Sequence, residues 1–553
     1  MGALLGLLLG LVFCSPATLA ERPRVYALTD AQLVVSPEET IEGGTLVIRD
    51  GLIVAAGRGI EPPADAERIE LAGSWIYAGL IDLHSRLELS GSPPSNEGGP
   101  GAGPRAAGPR ETPSGPVHPL SRIRPESRAS ESLRTIEGNE LREVERMRDL
   151  GFTTLLVAPS RGLLRGRSAV VQLAVERPVS QMILDDDAAQ HATFERGSFG
   201  QGYPTSLMGA AAALRQTFLD AGRHLEWTER WREEPRDLPR PGAHPALDAL
   251  APLLDGEQRL FFEVDDPDDA LLADRLASEF DLELVIDASG HEWEILDQVA
   301  ATGRTLLWPL AFPDKPKVDD EHAAIDVSRR TLRRYLEAPA APAQLHEAGV
   351  RFALTTHGLK SIGDFRKNLR KLIDKGLPEQ AALAALTTVP AELVGLERAI
   401  GTLEPGKIAN VIVSDAPLFD EESKLTHIFV DGVKHEVEAP SKPKGDPNAV
   451  VDPRGSWSVV FEMGPRTIER SWTIEGERDA YRGSAETREG TITFDEVRLE
   501  GNALTVVYPA RGGRGGMEVT VIIEGDQFEG LAEMGPRSVE LNGTRTSGPE
   551  DGR

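Results

Sequence analysis

The sequence predicts a multi-domain α/β protein: a (β/α)8 TIM-type barrel with β-rich flanks, which the resemblance described below implies join as a composite β-sandwich, and a C-terminal all-β domain forming a small barrel. Three observations predict the barrel, the β-rich flanks and the C-terminal domain. Between Trp75 and about Leu396, short apolar runs alternate with helical stretches, the pattern of a mainly parallel sheet. Strand-like segments bracket that region, at 24–71 and again at 400–437. From 455 to 545 apolar and polar residues alternate with period two in one run after another. A chain of 553 residues has room for roughly three to four domains.

In chain order, residues 1–20 read as a secretory signal peptide: an apolar run from Ala3 to Phe13, then Ser15, Pro16 and the small-residue site Thr18-Leu19-Ala20. The run is about half the ~20 residues needed to span a bilayer, and no later segment reaches that length. The expected location is therefore secreted or periplasmic, with no membrane span. Residues 21–74 are the N-terminal part of the sandwich, with Asp50-Gly51 as a hairpin turn between GTLVIR and LIVAAG. Residues 75–398 make the barrel. Its strands are WIYAGLIDL, FTTLLVA, RLFFEV, LELVID, TLLWPL and RFALTT, and its helices include 139–150, 205–220, 268–280, 291–302, 361–375 and 378–386.

Within the barrel, residues 91–119 hold fifteen Gly or Pro in 29 positions and no large apolar residue before Val117. Such a segment cannot bury enough surface to offset its ordering entropy, so it predicts a disordered insertion. Residues 399–438 complete the sandwich, and 439–454 form a Pro- and Lys-containing linker. In the small β-barrel at 455–545, EMGPR occurs twice, at 462–466 and 533–537, each time closing an apolar run as a hairpin turn would.

Composition removes several functions. Acids outnumber bases 88 to 60, a formal charge of −28, so a nucleic-acid partner is excluded by long-range repulsion. The single cysteine, Cys14, lies in the leader, which leaves no disulfide, thiolate metal site or cysteine nucleophile beyond it. Asp185-Asp186-Asp187 reads as a solvated acidic loop. Trp227 and Trp231, four apart, read as packing residues on one helix face. His191, His224, His244 and His322 read as surface histidines. The Gly pairs at 43–44, 98–99 and 512–513 lack the strand-then-helix setting of a phosphate loop.

The chemistry concentrates in Ala78-Gly79-Leu80-Ile81-Asp82-Leu83-His84-Ser85-Arg86, an apolar strand ending in polar groups, where barrels place catalysis. Here the chain resembles the amidohydrolase superfamily, in its imidazolonepropionase-like branch. The resemblance rests on GLIDLHS, RGLLRGRSAVVQL, GYPTSLMGAAAALRQTFLDA, RFALTTHG and ALTTVPAELVGLERAIGTLEPGKIANVIVSD…HIFVDGVKHEV, together about 24–437. It implies a metal-dependent barrel whose flanking strands join in one sandwich. It also implies ligands at strand ends: a His-x-His pair, two single histidines and a last-strand aspartate. These positions fall on His84, Arg86, Glu263, Ala288 (with His291 three residues on) and His357.

Three readings follow from that resemblance. In the first, His84, Glu263 and His357 hold a single zinc ion that activates water. Arg86 then binds a substrate carboxylate or oxyanion, and the reaction is hydrolysis of a carbon–nitrogen bond in a small, non-peptide, cyclic amide. In the second, no cofactor is present and the barrel is an inactive binding module for a small ligand or a protein. In the third, Glu263 or Asp265 works with His357 in metal-free acid–base chemistry. Gly455-Ser456-Trp457 resembles the opening of small lipocalin-like barrels, and the C-terminal domain is expected to be structural or to dock a protein partner.

Overall fold

The structure, a computed structural model, describes residues 25–85, 118–133, 136, 139–196, 203–316, 325, 327–359, 362–421, 423–437, 449, 451–463, 466–476, 481–487, 490–509, 517–534 and 537–547. The leader, Arg86, His322, nearly all of the 91–119 insertion and most of the 439–454 linker lie outside the described residues.

The two β-rich flanks form one eight-stranded sheet. Its order is 433–436, 425–430, 411–414, 75–78, 25–36, 39–49, 52–57, with 67–70 paired to 25–36. The C-terminal return joins through Trp75–Ala78, which runs antiparallel to Val411–Ser414 and parallel to Gln32–Leu33. One core holds residues from both ends, including Tyr26, Ile76, Val411 and Phe429. The hairpin at Asp50-Gly51 forms as expected: Arg49 pairs with Leu52, and both turn residues have φ of 54° and 80°, the left-handed values a two-residue hairpin needs.

The WIYAGLIDL run, read from sequence as one barrel strand beginning at Trp75, is divided at Gly79. Trp75–Ala78 belongs to the sandwich sheet, and Leu80–Asp82 starts the barrel. The division needs glycine. A Cβ at position 79 would lie 2.3 Å from the Thr153 side chain, and the Gly79 N–H donates to the Asn410 carbonyl rather than along a strand ladder.

Eight positions around the barrel are filled by strands. Leu80–Asp82 pairs in parallel with Phe152–Val157; Ala189–Thr193, Arg259–Glu263, Leu284–Asp287, Thr305–Pro309 and Phe352–Thr355 form a second parallel series. One antiparallel stretch bridges the two sheets. Its first half, Leu164–Arg167, pairs with Ala189–Thr193, and its second half, Ala169–Gln172, pairs with Phe152–Val157. Between the last strand and the first there is no ladder among the described residues. Residues 385–386 accept backbone hydrogen bonds from Leu354 and Ile81, and the Asp82 side chain reaches Thr356.

Strand parity sorts the residues. Ile81, Leu156, Val170, Ala189, Phe261, Val285, Leu307 and Ala353 fill the barrel interior. Neighbours of the other parity, such as Leu260, Phe262, Leu284, Ile286 and Ala288, pack outwards under the helices. Adjacent side chains on a strand face opposite ways, so the next inward positions are two residues further on.

The C-terminal strands form a nine-stranded antiparallel sheet whose two edge strands, Gly490–Thr493 and Glu496–Glu500, are consecutive in sequence. Its interior is packed with Trp457, Phe461, Trp472, Phe494, Phe528 and aliphatic residues, so the interior is core. Both EMGPR copies lie at hairpins: Met463 pairs with Arg466, and Met534 with Arg537. The end of the linker joins this unit, because Arg545 donates to the carbonyls of Asp452 and Arg454 and lies over the Trp457 ring.

Candidate active site

Following inward parity toward the C-terminal ends of the strands leads from Ala189 to His191, from Phe261 to Glu263, from Val285 to Asp287 and from Ala353 to Thr355, with His357 beyond it. Glu263 and Asp287 are register partners on neighbouring parallel strands. Two carboxylates so placed repel each other unless a cation lies between or beside them. Two cationic groups meet that need. His84 Nδ1 is 2.5 Å from Asp287 Oδ2, and the Arg165 guanidinium is 2.5 Å from Glu263 Oε2. His357 stacks on His84 with ring centroids 3.7 Å apart and an 18° interplanar angle. These side chains and His191 line one cavity of about 340 Å³, with Leu83, Ser160 and Leu359 at its walls.

Electrostatics follow from this crowding. Burial disfavours the His84 imidazolium, but Asp287 and Glu263 outweigh it and bring its pKa up to about 8. Burial pushes His191 down to about 3, with Arg165 and His84 adding to the effect. His357 is lowered by burial and by the His84 charge. Burial alone would raise Glu263, but Arg165 and His84 hold it below the ordinary carboxylate value. Under the site, Asp82 is fully buried and pushed up to about 6 by desolvation. It accepts from the Thr356 hydroxyl at 2.5 Å and from the His84 N–H at 3.1 Å.

The structure places His84, Glu263 and His357 along one cavity, with only the first two in a converging group of ligand-type atoms. The atoms that converge are one nitrogen of His84 and one carboxylate oxygen each of Glu263 and Asp287, all within 4.8 Å of one another. His357, expected as the third ligand, stacks on His84 outside that cluster. The family position that falls on Ala288 offers no ligand atom, whereas Asp287, one residue earlier, is in the converging group. Ala288 has outward parity and packs in the outer core, and His291 is likewise outside the cluster. Asp265 is not among the cavity-lining residues. Arg86 lies outside the described residues, and the arginine that lines the site among the described residues is Arg165.

Other expectations are also corrected. His191 is not on the surface: it is 8% exposed, packs against Phe261, and its Nε2 is buried with no hydrogen-bond partner among the described residues. His224 pairs with Asp248 at 2.9 Å beside His244. The Asp185–Asp187 run is tied down by Arg128 and Arg167. Trp227, expected to pack, is 38% exposed and donates to the Pro239 carbonyl, and Arg240 covers the Trp231 ring.

The fold family implies a metal, and the residues present fit one. An imidazole with two carboxylates is an N/O donor set suited to a divalent cation. His84 Nδ1 is buried 2.5 Å from Asp287 Oδ2, so a cation bound there would take the place of the proton that now pairs them. Glu263 and Asp287 supply the negative charge. No helix among the described residues is long and apolar enough to cross a membrane.

Comparison with known proteins agrees with the geometry. Residues 266–441 match the amidohydrolase family. Imidazolonepropionase from Acidiphilium cryptum is 47% identical over 53 residues, 9% of this chain and 13% of that protein. A deacetylase from Brucella anthropi is 34% identical over 74 residues, 13% of this chain and 18% of that protein. The chain thus matches less than a fifth of the length of these curated relatives. Among solved structures, an amidohydrolase from Thermotoga maritima superposes with a TM-score of 0.58 at 21% identity, covering 74% of this chain and 99% of that one, a likeness of fold. Residues 266–441 thus match the amidohydrolase family, short stretches of the chain are similar to imidazolonepropionases, and the fold as a whole is like that of an amidohydrolase.

Proposed function

We propose that the protein is a hydrolase of a carbon–nitrogen bond in a small non-peptide amide, cyclic in the first instance, acting with one divalent cation, zinc being the first candidate. The observation that carries this reading is the convergence of His84, Glu263 and Asp287 in a cavity of about 340 Å³ at the barrel mouth. A bound divalent cation supplies a water of lowered pKa and polarises a carbonyl. The chain's own residues do the rest. Glu263 and Asp287 fix the cation's position by sitting on adjacent, rigid strands. His357, stacked on His84 at the cavity wall, is placed to take a proton from the attacking water and return it to the leaving nitrogen. Leu83, Leu156 and Leu359 narrow the cavity around a small substrate. Export to the periplasm or beyond is part of the same reading, supported by the apolar run at 3–13. The C-terminal β-barrel is proposed as a structural or protein-docking module, because its interior is filled.

The test is turnover of a panel of cyclic and N-acyl amides by chelator-treated protein, with and without added zinc, manganese or iron. Metal-dependent turnover that disappears in Asp287→Asn supports the reading. A second reading, a binding module without turnover, is favoured by one observation: His84–Asp287 and Arg165–Glu263 already pair all four charges. It predicts ligand binding by the chelator-treated protein with no hydrolysis under any metal.

A further inference from the structure

Arg165 does not come from the C-terminal end of a parallel strand, where His84, Glu263, Asp287 and His357 lie. It projects from Leu164–Arg167, the antiparallel stretch bridging the two barrel sheets, at a register shift against His191 and Ala192. Gly166 beside it has φ of 113° and presses on Ser127, where a Cβ would lie 2.4 Å from the carbonyl oxygen. That backbone is shaped to deliver one side chain into the mouth.

The guanidinium arrives among three side chains of metal-ligating type. It contacts Glu263 at 2.5 Å, and it shares the cavity with His191 and His357. His191 Nε2 is buried and unpartnered among the described residues, on a residue more than nine-tenths buried. A carboxylate and two imidazoles, donor types that suit a divalent cation, line this cavity without their ligand atoms converging as those of the first site do, and an arginine, which stays protonated in proteins, lies against the carboxylate. We infer that Arg165 is a built-in cation in place of a second metal ion, and that it limits the site to one divalent cation. Because Arg165 and the first ion share Glu263, the side chain also weakens the first site. The inference rests on the reading that His84, Glu263 and Asp287 hold that first ion.

The test is calorimetric titration of zinc into chelator-treated full-length protein, with folding checked by thermal melting. The wild type is expected to take one equivalent. Arg165→Gln is expected to take two, the first at least tenfold more tightly, and Arg165→Lys, which keeps the charge, one. Adding His191→Phe to Arg165→Gln returns the count to one. If Arg165→Gln does not fold, Arg165→Met is read in the same way. Two equivalents in the wild type, or one in folded Arg165→Gln, overturns the inference and leaves the hydrolase reading standing. Zero in both proteins overturns both readings. Zero in the wild type with one in Arg165→Gln also overturns both, since Arg165 would then exclude the first ion.

Discussion

Asp82 and Thr356 join the first and last strands of the barrel where no strand ladder among the described residues does: the Thr356 hydroxyl donates to the buried Asp82 carboxylate at 2.5 Å, and the Thr356 N–H points to the same group. This contact also sets the two residues that follow, because His84 lies two positions after Asp82 and His357 one after Thr356. The stacked histidines therefore depend on a carboxylate beneath them.

Removing the hydroxyl while keeping the shape tests that dependence. Thr356→Val leaves Asp82 short of a donor in a dry environment, a change that costs about 1–3 kcal/mol. Urea unfolding should show the loss, and zinc affinity should fall with it as His84 loosens. A variant as stable as the wild type would mean the 385–386 backbone bonds close the ring unaided.

The division of labour at the mouth gives opposite outcomes for two substitutions. Asp287→Asn should remove most bound metal, because it takes charge from a three-donor site. His357→Ala should keep metal near the wild-type amount while turnover drops by roughly the 10²–10⁴-fold attributed to general acid–base groups. Elemental analysis beside a turnover assay separates these cases. Metal lost equally from both variants would return His357 to the ligand set.

A pH dependence follows from Glu294, just beyond the Asp287 strand. Its carboxylate hydrogen-bonds to Arg334 and Arg330 of the helix Arg329–Glu337, and they hold its pKa at about 2 against an ordinary value of 4.5. A depressed carboxylate pKa contributes stability that is present above the unfolded value and lost as pH falls towards the folded one. Glu294→Gln should therefore melt below the wild type at pH 6–7, and the gap should narrow between about pH 4.5 and 2. A gap that is constant with pH would assign the effect to shape and not charge.

The C-terminal unit has its own core, so a fragment from 451 to 553 should unfold cooperatively. Trp472 is fully buried, stacks on Phe528 and donates to the Tyr508 hydroxyl at 2.8 Å. Trp472→Ala should cost that fragment about 3–5 kcal/mol, the range for emptying an aromatic site. Thermal melts of both fragments check it. A fragment without a transition would mean the barrel completes its core.

Much of the fold is legible in residue pattern. Alternating runs mark the barrel strands, Asp50-Gly51 marks a hairpin, and both flanks read as β-rich, while their joining in one sheet comes from the family resemblance. The Gly79 division is not legible, because only the approach of Thr153 demands it. At the site, Glu263 and His84 stand out as polar ends of apolar strands. Asp287 also ends such a strand, but family spacing points one residue further, to Ala288. Counting inward parity from Val285 identifies Asp287, a signal present in LVID all along. Arg165 and His191 carry no comparable signal. One comes from an antiparallel insertion and the other from mid-strand, so only the folded ring brings them to the mouth.

The central claim is that His84, Glu263 and Asp287 together hold one cation. Anomalous diffraction at the zinc edge, on crystals of full-length protein grown with one equivalent of zinc, tests it most directly. The account predicts one peak per chain, bonded to the His84 imidazole and one oxygen from each of Glu263 and Asp287, with His84 Nδ1 no longer in contact with Asp287. No peak in this cavity, or a peak bonded to His357 in place of Asp287, would contradict it.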